Sequence, residues 1–104
     1  MAKKIKFELY VLGGCDKCSR IKYALDAEDI IYEEINCTSS ENKKCDTLED
    51  KIDCGRYPMA VIKTSECTTI IHLCDHKKPS GESTKRIPVD SEDKFISEIK
   101  KVYI

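Results

Sequence analysis

Residues 7–25 read FELYVLGGCDKCSRIKYAL, and the rest of the chain is interpreted around this stretch. An apolar-rich segment ends at Gly13 and Gly14, Cys15 and Cys18 follow three residues apart, and a helical pattern comes next. On the first turn of a helix, positions i and i+3 are neighbours, roughly 5–6 Å apart at Cβ, which is within reach of a disulfide. The positive end of the helix also stabilises an anion such as a thiolate, which favours Cys15 as the reactive thiol. The stretch therefore predicts a dithiol/disulfide pair.

Composition and charge narrow the function classes. The 104 residues are enough for one domain, residues 1–104, and a net charge of -1 favours neither a nucleic-acid nor an anionic-membrane partner. No apolar run reaches membrane-spanning length, and the basic start at residues 1–4 is followed by Lys6 and Glu8 rather than by a signal-peptide apolar region. Seven cysteines are an odd number for a secreted disulfide scaffold, so we expect a cytoplasmic protein whose thiols are mostly free.

Hydrophobic periodicity and turn residues predict four strands and three helices. The predicted strands are residues 5–12, 30–37, 57–62 and 68–73, and the predicted helices are residues 16–29, a segment capped near 38–41 and ended by Gly55, and a segment capped by Ser91. Residues 74–88 are predicted to be a loop. In the second helix Cys45, Leu48 and Ile52 fall at helical spacing, which predicts Cys45 as a small buried group.

The predicted order is β-α-β-α-β-β-α. Right-handed crossovers make the first three strands a parallel or mixed sheet, and a short turn at residues 63–67 pairs the last two strands as a hairpin. A C-x-x-C after the first strand, a proline opening the third strand and this order resemble the thioredoxin fold. The short length resembles glutaredoxins and the small glutaredoxin-like thioredoxins. The fold implied is a four-stranded mixed sheet flanked by three helices.

The resemblance implies a thiol–disulfide oxidoreductase that reduces protein or small-molecule disulfides. Cys15 would be the nucleophile and Cys18 the resolving thiol, while Pro58 would be a cis-proline whose preceding residue pairs its backbone with the substrate. The substrate-binding residues would be Lys17, Arg56, Tyr57, Pro58, Cys74 and Asp75. No bound cofactor is expected, glutathione or a flavoprotein reductase would supply electrons, and the protein would act as a monomer.

The chain departs from the glutaredoxin pattern at several positions. Leu12 stands where glutaredoxins often have a lysine, and Asp16-Lys17 replaces the usual Pro-Tyr between the cysteines. Arg56-Tyr57 replaces Thr-Val before the proline, and His72-Leu73 replaces a Gly-Gly pair. These departures remove a positive charge, and they also remove the glycines that would let glutathione approach the backbone closely. They therefore predict weak dependence on glutathione.

The same topology sorts the remaining cysteines. Cys54 and Cys74, together with the basic segment 76–86, would surround Cys15, with Cys37 on the same edge of the sheet and Cys67 at the far end. Cys37, Cys54 and Cys74 are interpreted as passive thiols rather than catalytic ones. The basic segment is either a solvated loop or a partner-docking loop.

A metal site is the alternative interpretation of the cysteines. Cys15 and Cys18 could be half of a zinc site that Cys45, Cys54, Cys67 or Cys74 completes. The protein would then be a non-catalytic thioredoxin-fold binding module, whose cysteines either hold a metal or are vestigial. The predicted elements separate these four cysteines, and no second C-x-x-C accompanies the first, so the redox interpretation is preferred.

Overall fold

The computed structural model describes residues 5–38, 43–52, 56–73 and 84–103, which form a mixed α/β sheet structure. Within these residues there are five strands and three helices. The strands are β1 (Lys6–Val11), β2 (Glu33–Asn36), β3 (Met59–Lys63), β4 (Thr68–His72) and β5 (Thr84–Pro88), and the helices are α1 (Asp16–Ala27), α2 (Lys43–Ile52) and α3 (Glu92–Tyr103). The predicted α/β class is confirmed.

The strands lie in the order β2-β1-β3-β4-β5. β1 is parallel to β2 and antiparallel to β3, and β3 and β4 form an antiparallel hairpin. The predicted crossover and hairpin are therefore confirmed. Because β3 runs opposite to β1, the start of β3 lies beside the end of β1, where the two glycines and the C-x-x-C follow.

The predicted strand count is wrong. Residues 84–88, which were expected to belong to a loop, form β5 and pair in parallel with β4. The sequence TKRIP has only one aliphatic residue and ends in proline, so its own pattern does not indicate a strand. The strand forms because β4 would otherwise leave its outer backbone groups without partners, and an edge position tolerates the terminal proline. Lys85 and Arg86 of the predicted basic loop consequently lie in the sheet.

Both faces of the central strands are covered. Within β1, Leu9 is fully buried, and Glu8 on the opposite face is also buried, with 2% exposure. α2 lies over the Glu8 face, where Lys44 Nζ is 3.6 Å from the Glu8 carboxylate. Alternating side chains of a strand point to opposite faces, so a strand buried at successive positions needs cover on both sides. This explains the nearly continuous apolar run of β1.

Helices α1 and α3 lie side by side. Arg20 on α1 is paired with Glu92 on α3 at 2.7 Å, and Lys100 on α3 is paired with Glu28, which follows α1, at 2.8 Å. The apolar side of α3 packs into the core through Phe95 and Ile99. These two residues are fully buried, whereas Ile96 and Val102 on the same helix are only partly buried.

α3 begins at the predicted cap, whereas α1 ends slightly earlier than predicted. Ser91 precedes α3, and its Oγ accepts a hydrogen bond from the Lys94 amide at 3.3 Å, as expected of an N-cap. α1 ends two residues earlier than predicted, and Asp29 adopts a positive φ of 58° in the turn that follows. No helix among the described residues has the length and apolar character required to cross a membrane.

Candidate redox site

A tight turn delivers the chain from β1 to the first cysteine. Gly14 has a φ of +71°, a conformation that glycine adopts without steric cost. The Gly13 amide donates a hydrogen bond to Thr38 Oγ1 at 2.6 Å, and a Cβ on Gly13 would lie 3.1 Å from the same oxygen. The turn is therefore held against the segment that follows β2. Glycine is favoured at position 14 by the positive φ and at position 13 by the close approach of the Thr38 side chain.

Cys15 is the N-cap residue of α1. Its backbone is extended, its Sγ accepts a hydrogen bond from the Cys18 amide at 3.2 Å, and its carbonyl accepts one from the Ser19 amide at 3.1 Å. The amides of a helix's first turn otherwise have no intrahelical partner, so they are available to an acceptor at this position. The sulfur that caps the helix is the one predicted to be the nucleophile.

The two cysteines are joined as a disulfide, with Cα atoms 5.2 Å apart. They differ in accessibility: Cys18 is 1% exposed and lies on the buried side of α1 with Ile21 and Leu25, whereas Cys15 is only partly buried. A reagent approaching from solvent therefore reaches the Cys15 sulfur more easily than the Cys18 sulfur.

The loop before β3 faces the same cysteine. The Tyr57–Pro58 bond is cis, as predicted, and the Tyr57 carbonyl oxygen lies 4.0 Å from Cys15 Sγ. The Tyr57 ring is buried, and its hydroxyl donates a 2.6 Å hydrogen bond to Glu49 on α2. Burial and this bond to a carboxylate both raise the pKa of Tyr57. The loop is thus attached to α2 by one buried polar contact.

Two of the predicted substrate-binding residues lie on the surface around this centre. Lys17, exposed on the first turn of α1, lines a cavity of about 260 Å³, and Arg56 lines another of about 520 Å³. Leu73 and Asp90 line both cavities. The two cationic residues therefore line separate cavities that share Leu73, the residue after β4, and Asp90. Cys74 and Asp75, the last two predicted site residues, lie outside the described residues.

An ion pair borders the Lys17 cavity. The Arg20 guanidinium donates hydrogen bonds of 2.8 and 3.1 Å to the two carboxylate oxygens of Glu92. These bonds and the positive charge lower the pKa of the Glu92 carboxyl. The cavity therefore carries charges of both signs rather than a single positive field.

A second disulfide joins Cys37, just after β2, to Cys45 on α2, with an S–S distance of 1.99 Å. Cys45 is buried as predicted, but the expectation that thiols outside the C-x-x-C are free is wrong for this pair. The separation of eight residues between Cys37 and Cys45 does not by itself predict a disulfide. The fold brings the two together because α2 packs over the sheet next to the end of β2.

Among the described residues, the one cysteine outside the two disulfides is Cys67, and it lies away from the site. Cys67 has a free thiol, is exposed and lies in the β3–β4 turn, the far end predicted for it. Cys54 falls outside the described residues. In the described part of the chain, no group of three or more histidine, cysteine, aspartate or glutamate side chains is arranged to hold a metal ion.

Sequence reasoning missed two residues that position the site. Thr38 was interpreted as part of a helix cap, yet its hydroxyl holds the Gly13 amide. Glu49 lies on the helix face that contacts Tyr57. The two residues are eight positions apart, one on a helix and one in a loop, and their spacing in the sequence does not predict a contact. Only the path of α2 across the sheet creates the second contact.

Chemically, the arrangement provides a sulfur–sulfur bond with one accessible sulfur and backbone amides at the helix start. Thiol–disulfide exchange needs an accessible thiolate and a second thiol near enough to displace the product. No family model, curated protein or solved structure matches this chain.

Proposed function

We propose that this protein is a glutaredoxin-like thiol–disulfide oxidoreductase with a thioredoxin-type fold. The observation that supports it best is the Cys15–Cys18 pair at the start of α1, with the accessible sulfur facing the Tyr57 carbonyl. A buried structural disulfide would not require this asymmetry of exposure. The helix start favours the thiolate form of Cys15 when the pair is reduced.

The proposed reaction proceeds in two exchanges. The Cys15 thiolate attacks one sulfur of a substrate disulfide, forms a mixed disulfide and releases the other substrate sulfur, which takes up a proton. Cys18 then loses its proton and attacks Cys15 Sγ, which frees the second substrate thiol and leaves Cys15–Cys18 oxidised. The substrate gains two electrons and the protein loses two. An external dithiol, glutathione or a flavoprotein reductase returns them.

The order of the elements supports the fold assignment. β1, α1 and β2 form a parallel crossover, β3 is antiparallel to β1 and forms a hairpin with β4, and α3 follows the sheet. In this proposal β5 is an addition at the outer edge of β4. It lies three strands away from β1, so it leaves the junction that carries the cysteines unchanged.

A reductase assay tests the proposal directly. The reduced protein is mixed with a protein disulfide substrate, a small dithiol is supplied for recycling, and the rate of substrate thiol release is measured. Wild type and Cys67→Ser, which alters a distant exposed thiol, are expected to turn over equally, whereas the Cys15→Ser/Cys18→Ser double variant is expected to give the uncatalysed rate. Equal rates for all three proteins would contradict the proposal.

The same preparations test the metal alternative. Protein purified without chelator is expected to contain no stoichiometric zinc in its reduced form. One zinc per chain that disappears in the Cys15→Ser variant, together with no reductase activity, would support the non-catalytic binding module instead.

A further inference from the structure

The Cys37–Cys45 disulfide lies beside the segment that leads to the candidate redox site. β2 is the edge strand of the described sheet, and Cys37 follows its last residue. The Cys37 amide donates a 2.7 Å hydrogen bond to the carbonyl of Val11, which ends β1 four positions before Cys15. Cys37 is half-buried, whereas Cys45 is 3% exposed. The two cysteines of this bond are therefore as unequal in exposure as those of the C-x-x-C.

On the β2 side, the bond is connected to the glycine turn before Cys15. Thr38 follows Cys37 directly, and its amide donates a 2.8 Å hydrogen bond to Asn36 Oδ1. The Thr38 hydroxyl accepts the Gly13 amide at 2.6 Å. The disulfide therefore joins α2 to the residue next to the one that holds the turn.

On the α2 side, the bond is connected to the loop before β3. Glu49 lies four residues after Cys45, which places the two side chains on one face of the helix, one turn apart. Glu49 accepts the 2.6 Å hydrogen bond from the Tyr57 hydroxyl, and the Tyr57 carbonyl oxygen lies 4.0 Å from Cys15 Sγ. A bond at Cys45 therefore fixes the helical turn that precedes the contact with this loop.

We propose that Cys37–Cys45 is a second redox-active pair, whose reduction releases the start of α2 from β2 and loosens the turn and the loop that face Cys15. The effect on catalysis rests on the proposed function, whereas the reduction and the movement do not. The bond closes a short interval of eight residues, and a short interval limits the stability that a disulfide contributes. A reduced Cys45 would pack as a small apolar side chain, so the protein stays folded without the bond.

An external dithiol, the class of reductant that also recycles Cys15–Cys18, would open the bond. One thiolate of the dithiol attacks Cys37 Sγ and breaks the sulfur–sulfur bond, and the released Cys45 thiolate takes up a proton. The second thiol of the dithiol then loses its proton and attacks the mixed disulfide, and the freed Cys37 thiolate is protonated. The protein gains two electrons and the dithiol becomes a disulfide. Exposed disulfides are the more easily reduced ones, and Cys37 is the less buried of the two cysteines.

A redox titration without the C-x-x-C disulfide tests whether the bond opens in the folded protein. The Cys15→Ser/Cys18→Ser variant is equilibrated with mixtures of a reduced and an oxidised small dithiol, and alkylation with peptide mapping measures the state of each cysteine. Cys37 and Cys45 are expected to become reduced together while the circular dichroism stays native, and to reoxidise when the mixture is reversed. A bond that opens only after denaturant is added would overturn the proposal.

Amide chemical shifts in the same titration test the connection to the redox site. The Gly13 and Tyr57 signals are expected to change in proportion to the reduced fraction of Cys37–Cys45. The matched control carries Cys37→Ser and Cys45→Ala in addition, and the same dithiol should leave its Gly13 and Tyr57 signals unchanged. Changes confined to the two cysteines and their neighbours in the sequence would overturn the connection.

Single-turnover kinetics test the effect on Cys15. Cys18→Ser protein with Cys15 reduced and Cys37–Cys45 oxidised is mixed with a protein disulfide, and the rate of mixed-disulfide formation is measured. Adding Cys37→Ser and Cys45→Ala should slow this step roughly threefold to tenfold, because the loop and the turn are no longer pre-organised. Adding Cys67→Ser instead should leave the rate unchanged.

The outcomes separate this proposal from the proposed function. Equal rates with and without the Cys37–Cys45 bond would overturn its effect on Cys15. Absence of mixed disulfide in every one of these proteins would contradict the proposed function. The redox titration and the Gly13 and Tyr57 signals would then still decide whether the second pair is redox-active and connected to the site.

Discussion

At the scale of single residues, the two cysteines of the C-x-x-C have unequal positions. Cys15 caps α1 and is partly accessible, whereas Cys18 is enclosed by the apolar side of the same helix. Spacing alone makes the two thiols neighbours, but the direction of the helix decides which of the two sulfurs is accessible. Their chemical roles should therefore be separable by mutation.

We predict different outcomes for the two single serine variants. Cys15→Ser should abolish disulfide reduction, because no accessible thiolate remains at the helix start. Cys18→Ser should still attack substrates and accumulate mixed disulfides, which non-reducing electrophoresis and intact mass detect. Alkylation of the reduced wild type near neutral pH, followed by peptide mapping, should label Cys15 before Cys18. Faster labelling of Cys18 would reverse the assignment.

The tyrosines give a prediction about alkaline pH. Burial, followed by nearby carboxylates, raises the pKa of Tyr10 and of Tyr32 from 10.0 to about 12. The folded protein keeps these protons when the unfolded chain has lost them. The stability this contributes is complete below about pH 10 and is lost as pH rises through about 12. Denaturant unfolding at a series of pH values should show stability falling above about pH 10.

Phenolate absorbance provides an independent readout of the same effect. In the native protein Tyr10 and Tyr32 should ionise late, and addition of denaturant at pH 11 should increase the absorbance at once. An unfolded-like titration of all five tyrosines in the native protein would contradict the assigned environments.

At the scale of elements, α2 is connected to the site through two side chains. Its Cys45 is bonded to Cys37 after β2, and its Glu49 accepts the hydrogen bond from Tyr57. Thr38, next to Cys37, holds the glycine turn before Cys15. The position of α2 therefore affects both the turn and the loop that face the reactive sulfur.

Removing the second disulfide should destabilise the oxidised protein. Cys37→Ser breaks the bond while leaving the buried Cys45 thiol in place, and the loop-entropy estimate for an interval of this size is about 2–3 kcal/mol. The midpoint of denaturant unfolding under non-reducing conditions should fall accordingly. Cys67→Ser, a change at an exposed free thiol, should leave the midpoint unchanged. An unchanged midpoint in Cys37→Ser would show that the bond contributes no stability.

The Tyr57–Glu49 hydrogen bond should also contribute measurably. Tyr57→Phe keeps the buried ring but removes the donor, so the free energy of unfolding should decrease by about 1.5–3 kcal/mol, as for a hydrogen bond to a charged acceptor. Glu49→Gln retains an acceptor and should cost less. A larger loss in Glu49→Gln than in Tyr57→Phe would mean that Glu49 acts through another contact.

At the scale of the whole molecule, the proposed reductase would have its electron donor selected by the surface around the cysteines. Leu12 is half-buried, and His72 and Leu73 are buried at the end of β4, so neither position offers the charge or the open backbone of the glutaredoxin pattern. Lys17 and Arg56 line separate cavities that share Leu73. Lys17 and Arg56 are the two cationic residues among the predicted site residues. They alone of that set could bind the two carboxylates of glutathione.

We therefore predict that glutathione recycles the oxidised protein poorly. Loss of one charge-assisted contact, about 1.5–3 kcal/mol, weakens binding roughly tenfold to a hundredfold. Turnover should rise almost linearly with glutathione over the millimolar range, while a small dithiol or a flavoprotein reductase should saturate it. Saturation at low glutathione concentration with the flavoprotein reductase inert would contradict this prediction.

Local signals in the sequence were enough for the dithiol position and the chain order of the first four strands, whereas the cis bond before Pro58 was expected from the resemblance to the thioredoxin fold. The glycines, the cysteine spacing and Pro58 act within a few residues, and strand alternation follows directly from side-chain pattern. These predictions agree with the position of Cys15 at the start of α1 and with the cis bond at Pro58. Each depends on backbone geometry that neighbouring residues largely specify.

Features that depend on residues distant in the sequence were decided by the tertiary structure alone. β5 exists because the edge of β4 accepts its backbone, and residues 84–88 carry little strand pattern of their own. The Cys37–Cys45 bond and the Tyr57–Glu49 contact require α2 to cross the sheet at one particular place. Glu8 alternates along β1 like a surface residue, yet α2 and the lysines enclose it. Pairing and burial are properties of the assembled layers, so no local pattern could specify them.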